Sequence, residues 1–134
     1  PHAVLPIAEK LLEMGCYEIS LGDTTGHGTP QTVAALLKHL TAVLPPTLLA
    51  GHFHDTNHQA VANVLTSLDY GLRCFDSAVS GLGGCPFAPG AKGNVSTRSV
   101  AEAVHKEGWK TGINMKKLAI AEAHITSLNL QQGK

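Results

Sequence analysis

No stretch of this 134-residue sequence approaches the ~20 consecutive apolar residues that a membrane-spanning helix requires, so none of it reads as a span. A surplus of either charge is missing as well. Ten basic residues offset ten acidic ones, which gives no electrostatic ground for nucleic acid or an anionic membrane surface as partner. Cysteine is scarce: Cys16, Cys74 and Cys85 are too few and too unevenly spaced for a disulfide framework, or for a zinc or redox centre built on paired thiols. An intracellular, reducing setting follows as the expectation. Cys16 and Cys74 lie in apolar contexts and are expected to be buried thiols. No repeat, low-complexity tract, signal or transit segment is visible. The chain opens at Pro1 in text of helical character, so a gene start is expected upstream.

What is present is the composition of a globular domain with a real core, 43% hydrophobic and 15% charged. Leu5, Ile7, Ala8, Leu11, Leu12 and Met14 recur at helical spacing, with Gly15 as a stop. Tyr17 to Leu21 is a strand candidate ending at Gly22-Asp23-Thr24. Thr29 and Pro30 form a cap and first-turn pair for a helix through Val33, Leu36, Leu37 and Leu40, closed by Pro45-Pro46. Leu48 to His54 is a second strand candidate, and a helix from about Gln59 to Tyr70 follows, with Gly71 at its end. Cys74 to Val79 is the third strand candidate. Thr97 is a candidate cap for a helix near Ser99 to Glu107, and a last amphipathic helix starts around Asn114.

This alternation is a parallel α/β pattern, in which chemistry collects at the C-terminal ends of strands. Asp23, the cluster His52, His54 and Asp55, and a glycine loop all fall there. A (β/α)8 barrel takes ~250 residues, so residues 1–134 are expected to be the C-terminal half of such a TIM barrel, about three parallel strands with flanking helices, the N-terminal strands being absent.

Two segments carry chemistry. In His52-Phe53-His54, strand alternation sends both imidazoles to one face, ~6–7 Å apart along the chain, within reach of one divalent ion. An isolated HxH is equally a core histidine beside a solvated one; its place at a strand end, followed by Asp55-Thr56, favours metal. From Ser80 to Asn94 runs a loop with five glycines and two prolines. Glycine at that density costs chain entropy that a mere connector need not spend. Cys85 on such a loop is placed to act as nucleophile, acid or base, and Asn94 can supply a neutral oxygen ligand.

Taken together, Tyr17-Glu18-Ile19-Ser20-Leu21-Gly22-Asp23-Thr24, His52-Phe53-His54-Asp55-Thr56 and Gly81-Leu82-Gly83-Gly84-Cys85-Pro86-Phe87-Ala88 through Gly93-Asn94 resemble the hydroxymethylglutaryl-CoA lyase family, in order and spacing, over nearly the whole chain. The resemblance implies metal-dependent cleavage of 3-hydroxy-3-methylglutaryl-CoA to acetyl-CoA and acetoacetate. It implies His52, His54 and Asn94 as ligands of a divalent cation, Mg2+ or Mn2+ given an oxygen and imidazole shell without thiolate. Cys85 would be the catalytic thiol, His52 a group able to move a proton, and Asp23 a base or base-orienting group, with Ser20 near the same pocket. His27 and His58 stand where the family carries other residues; both are expected to face solvent, with contact to the pocket the alternative for His58.

The family's Arg-Asp pair on its first strand has no counterpart in this sequence, so the isolated chain is expected to be inactive and prone to aggregate through unpaired strand edges. An acyl-CoA substrate and, at full length, a homodimer follow from the resemblance, with the helix face of Leu118, Ala121 and Ile125 as a candidate contact. Bacterial cytoplasm and mitochondrial matrix are both compatible. The alternatives are a condensing synthase of the isopropylmalate or homocitrate type, which shares HxH but follows it with Asn-Asp and lacks the cysteine loop, and a non-catalytic fragment.

Overall fold

A computed structural model describes residues 2–84 and 93–128. Three parallel strands, β1 (Ile19–Asp23), β2 (Leu49–Phe53) and β3 (Cys74–Phe75), lie in the order β1-β2-β3. Helices α1 (Val4–Glu13), α2 (Pro30–Thr41), α3 (Ala60–Asp69), α4 (Thr97–Lys106) and α5 (Met115–Ser127) alternate with and follow them. Parallel strands need a crossover, and α2 and α3 supply it between successive strands. No described helix is long and apolar enough to cross a membrane.

Local chemistry explains most of these boundaries. Thr29 and Thr32 cap α2 reciprocally: the Thr32 amide donates to Oγ1 of Thr29 at 3.3 Å, and the Thr29 amide donates to Oγ1 of Thr32 at 2.9 Å. Pro30 then occupies a first-turn position where its missing N–H costs nothing. Asn114 caps α5 by accepting the Lys117 amide at 3.0 Å. At α4 the cap is Ser96, one residue before the expected Thr97; its Oγ accepts the Ser99 amide at 3.1 Å.

Strand parity divides the sheet into two faces. The register Ile19↔Leu49, Leu21↔Gly51 and Asp23↔Phe53, continued by Gly51↔Phe75, puts these residues on one face. That face meets the helices: Ile19, Leu49 and Phe53 join Val33, Leu37 and Leu40 of α2 and Ala60 and Val64 of α3 in one buried cluster. Ser20, Gly22, His52 and Cys74 have the opposite parity and, with Asp76, are exposed or half-buried.

Three expectations are corrected. The third strand stops at Phe75 instead of Val79: Ala78 makes only an isolated bridge to Ser96, and Val79–Gly81 forms a 3-10 turn with Ser80 at φ 57°. Cys16 and Cys74 are both exposed, Cys16 because it follows the turn at Gly15 and Cys74 because it points away from the helices. Leu118, offered as part of a contact surface, is buried within the chain. A fork from Arg98 Nε and Nη2 to the Glu122 carboxylate, at 2.9–3.0 Å and 2.5 Å, ties α5 to α4.

Candidate metal centre

The C-terminal ends of β1, β2 and β3 bring His52, His54 and Asp76 together. His52 is the penultimate residue of β2, and His54 lies one step beyond its end. Two residues apart on extended chain, the rings face each other with Nε2 atoms 3.3 Å apart, as the HxH spacing predicts.

Each ring is fixed through its other nitrogen. His52 Nδ1 donates to Oδ1 of Asp76, and His54 Nδ1 donates to the Thr24 carbonyl at 2.7 Å. A carbonyl can only accept, and an ionised carboxylate likewise, so both Nδ1 atoms must carry hydrogen. In the neutral rings both Nε2 atoms are then lone-pair acceptors aimed at one another. Two acceptors at 3.3 Å need something between them, either a shared proton or a metal ion. Nitrogen ligands at about 2.1 Å from one cation sit about 3.0–3.4 Å apart in octahedral cis or tetrahedral geometry, so the residues fit an ion.

Asn94 joins from the far side. It pairs with His54 in an isolated antiparallel bridge, and its Nδ2 donates to the Leu82 carbonyl at 3.0 Å. An amide whose nitrogen is committed in this way turns its Oδ1 elsewhere. The flanking backbone is pinned to β2 by Asp55 N to Gly93 O at 3.0 Å and Val95 N to Phe53 O at 3.1 Å. Gly93 is required there: a Cβ on it would lie 1.4 Å from the Gly83 carbonyl oxygen. Among the described residues no group of three or more His, Cys, Asp or Glu could hold a metal ion. Cys85 lies outside the described residues.

Asp23 is placed differently from the histidines. It has the parity of Phe53, and both its oxygens accept backbone amides, His27 at 3.2 Å and Gly28 at 2.9 Å. Asn63, fully buried on α3, donates to the Gly28 carbonyl at 2.9 Å. Gly26, at φ +69°, lets the same turn close against Thr56, whose Oγ1 would lie 2.5 Å from an added Cβ. Asp23 therefore shapes the turn whose Thr24 carbonyl orients His54. Asp55 caps α3 by accepting the Ala60 amide at 3.1 Å. Ser20 is exposed on the histidine face, and His27 and His58 are exposed. A cleft of about 570 Å3 opens on the other face, between β1, β2 and α2, but its lining is mainly apolar and of the site residues only Asp23 reaches it.

Asp76 and the Thr24 carbonyl were not singled out from sequence. Asp76 is the first polar residue after β3, and the rule that chemistry gathers at strand ends would have marked it.

Comparison with known proteins supplies the wider frame. A family model described as HMGL-like matches residues 1–125. Hydroxymethylglutaryl-CoA lyase of Pseudomonas mevalonii is 48% identical over 127 residues, which are 95% of this chain and 42% of that protein. The crystal structure of the HMG-CoA lyase from Brucella melitensis superposes with a TM-score of 0.89 at 52% identity, over 94% of this chain and 44% of the other. An HMG-CoA lyase from Acinetobacter baumannii, solved in complex with coenzyme A and 3-methylmalate, gives 0.85 at 37% identity, over 93% and 41%. The chain thus spans less than half the length of these relatives, and its three strands and flanking helices form part of their barrel.

Proposed function

The chain belongs to the HMGL-like family, and from that premise we propose that, within a full-length protein, it supplies part of the active site of a hydroxymethylglutaryl-CoA lyase. The reading rests above all on the two Nε2 atoms 3.3 Å apart, each ring held through Nδ1 by an oxygen acceptor. His52, His54 and the Asn94 oxygen would hold a divalent cation, Mg2+ or Mn2+. Bound there, the cation would lower the pKa of the substrate hydroxyl and help orient it.

The remaining chemistry falls to side chains. The 3-hydroxyl proton passes to a base, His52 or Asp23, as the C2–C3 bond breaks. Its electron pair goes to C2, leaving acetoacetate and the enolate of acetyl-CoA. The Cys85 thiol then protonates C2; the base gives its proton back to solvent and the thiolate takes one up, so both groups are restored. His52 shares the open face with His54, whereas both Asp23 oxygens are engaged by amides. Even so, with Nε2 given to the cation and Nδ1–H to Asp76 the His52 ring has no free lone pair, so of the two candidates Asp23, whose carboxylate oxygens keep further lone pairs, is the base in this reading. The cysteine distinguishes this lyase from a condensing synthase. The acyl-CoA substrate and a homodimeric assembly belong to the same reading.

The test is Cys85→Ala in a full-length protein carrying these residues. Mn2+ binding is expected to persist while cleavage of 3-hydroxy-3-methylglutaryl-CoA falls by about 10^2-fold or more, the lower range for a lost general acid. Unchanged turnover would remove the thiol from the mechanism. Condensation without cleavage would favour the synthase reading.

A further inference from the structure

We propose that Asp76 is a positioning residue for His52: its carboxylate holds the imidazole as the Nδ1–H tautomer and thereby presents Nε2 as a lone pair toward His54. The link to a metal rests on the reading of the site given above; the tautomer assignment does not.

The parallel register brings the two residues level. Gly51 pairs with Phe75, so one step further His52 and Asp76 are level and share a face. The backbone agrees, with Asp76 N donating to Gly51 O at 3.4 Å. The two side chains then meet through Nδ1 and Oδ1. Free histidine in its neutral form favours hydrogen on Nε2, the tautomer that would block a ligand at that nitrogen. An acceptor at Nδ1 reverses the preference. His54 achieves the same result through a backbone carbonyl, which no mutation removes. At His52 the acceptor is a side chain, so that arm is open to substitution.

Asp76 has little else to do. Its side chain is 59% exposed, and it lies outside the buried cluster. Removing it should therefore leave the fold standing. Outer partners of this kind commonly change metal affinity by about 10–100-fold.

The experiment compares wild type, Asp76→Ala and Asp76→Asn in a full-length protein carrying these residues. Long-range 1H–15N correlation spectra, recorded above pH 8 without metal, report the His52 tautomer, and calorimetry with Mn2+ reports affinity. Wild type should show hydrogen on Nδ1. Asp76→Ala should move it largely to Nε2 and weaken Mn2+ binding about 10–100-fold. Asp76→Asn keeps a neutral acceptor, so it should retain the tautomer and lose less affinity. A His52 ring that carries hydrogen on Nε2 in wild type, or that ignores Asp76→Ala, overturns the proposal. A tautomer that moves while Mn2+ affinity stays within twofold overturns its link to the metal. If wild type shows the expected tautomer but binds no Mn2+, the metal reading of this chain fails while the positioning role stands.

Discussion

The two faces of the three-stranded sheet alternate residue by residue along the same chain, yet they do different jobs. On one, Ile19, Leu49 and Phe53 are 7%, 1% and 5% exposed and pack against α2 and α3. On the other, Ser20, Gly22, Cys74 and Asp76 are exposed and His52 is half-buried. One face holds the fold together through apolar area removed from water. The other buries only Ala50 of its strand residues, at 3% exposed, which leaves histidine and carboxylate groups at the strand ends available to one another. Substitutions of the apolar residues on the first face should therefore change stability without changing the site, and those of the polar residues on the second should do the reverse.

Leu37→Ala should have the largest effect. The side chain is 1% exposed in the middle of the helix-facing cluster, and its truncation leaves a cavity costing about 2–5 kcal/mol. Urea unfolding measures that loss. The folded variant should keep its His52 tautomer, because α2 touches neither histidine in the hydrogen-bond network described. A changed tautomer would mean that the faces are coupled.

A pair of glycines sharpens the same contrast. A Cβ on Gly51 would lie 2.8 Å from Cε2 of Phe53 and 2.9 Å from Cδ1 of Phe75. Gly51→Ala overpacks the helix side and should cost about 1–3 kcal/mol. Gly22, on the neighbouring strand with opposite parity, would meet only Oγ1 of Thr24 at 3.9 Å. Gly22→Ala should fall within about 0.5 kcal/mol of wild type. Thermal unfolding of both variants decides it, and equal losses would refute the division by faces.

How much of this was legible follows from which signals are local. The α2 start was readable because Thr29 and Pro30 act within one turn. The pairing of His52 with His54 was readable because strand period puts i and i+2 together. Where the third strand ends was not, since that depends on Ala78 finding Ser96 and on the turn at Ser80. The burial of Cys74 was misjudged because an apolar neighbourhood in sequence does not say which face a residue takes. The Thr24 carbonyl leaves no mark in sequence, being a backbone group. Asp76 does leave one, but its meaning depends on the β2–β3 register, a long-range fact. Spacing and chemistry made His52, His54, Asn94 and Cys85 candidates, and the family resemblance gave them specific roles.

The smallest expected effect concerns Cys74, on the open face at the sheet edge. Partial desolvation and a contact from its Sγ to Oε1 of Glu18 at 3.6 Å, with Asp76 adding negative potential, push its thiol pKa up. A raised folded pKa means that the native state keeps its proton when the unfolded chain gives it up. The resulting stabilisation is complete below the unfolded value of about 8.5 and fades as pH rises through and beyond it, because the unfolded state then binds fewer protons than the native one. Compared with Cys74→Ser, wild type should therefore lose slightly more melting temperature between pH 7.5 and pH 10, a window set by that unfolded value. Exposure keeps the difference small, since solvent screens the Glu18 and Asp76 charges. The same raised pKa lowers the thiolate fraction, so alkylation by iodoacetamide at pH 8 should be slower at Cys74 than at a free thiol in the unfolded chain. A rate equal to the unfolded one would show that neither the desolvation nor the Glu18 contact holds in solution.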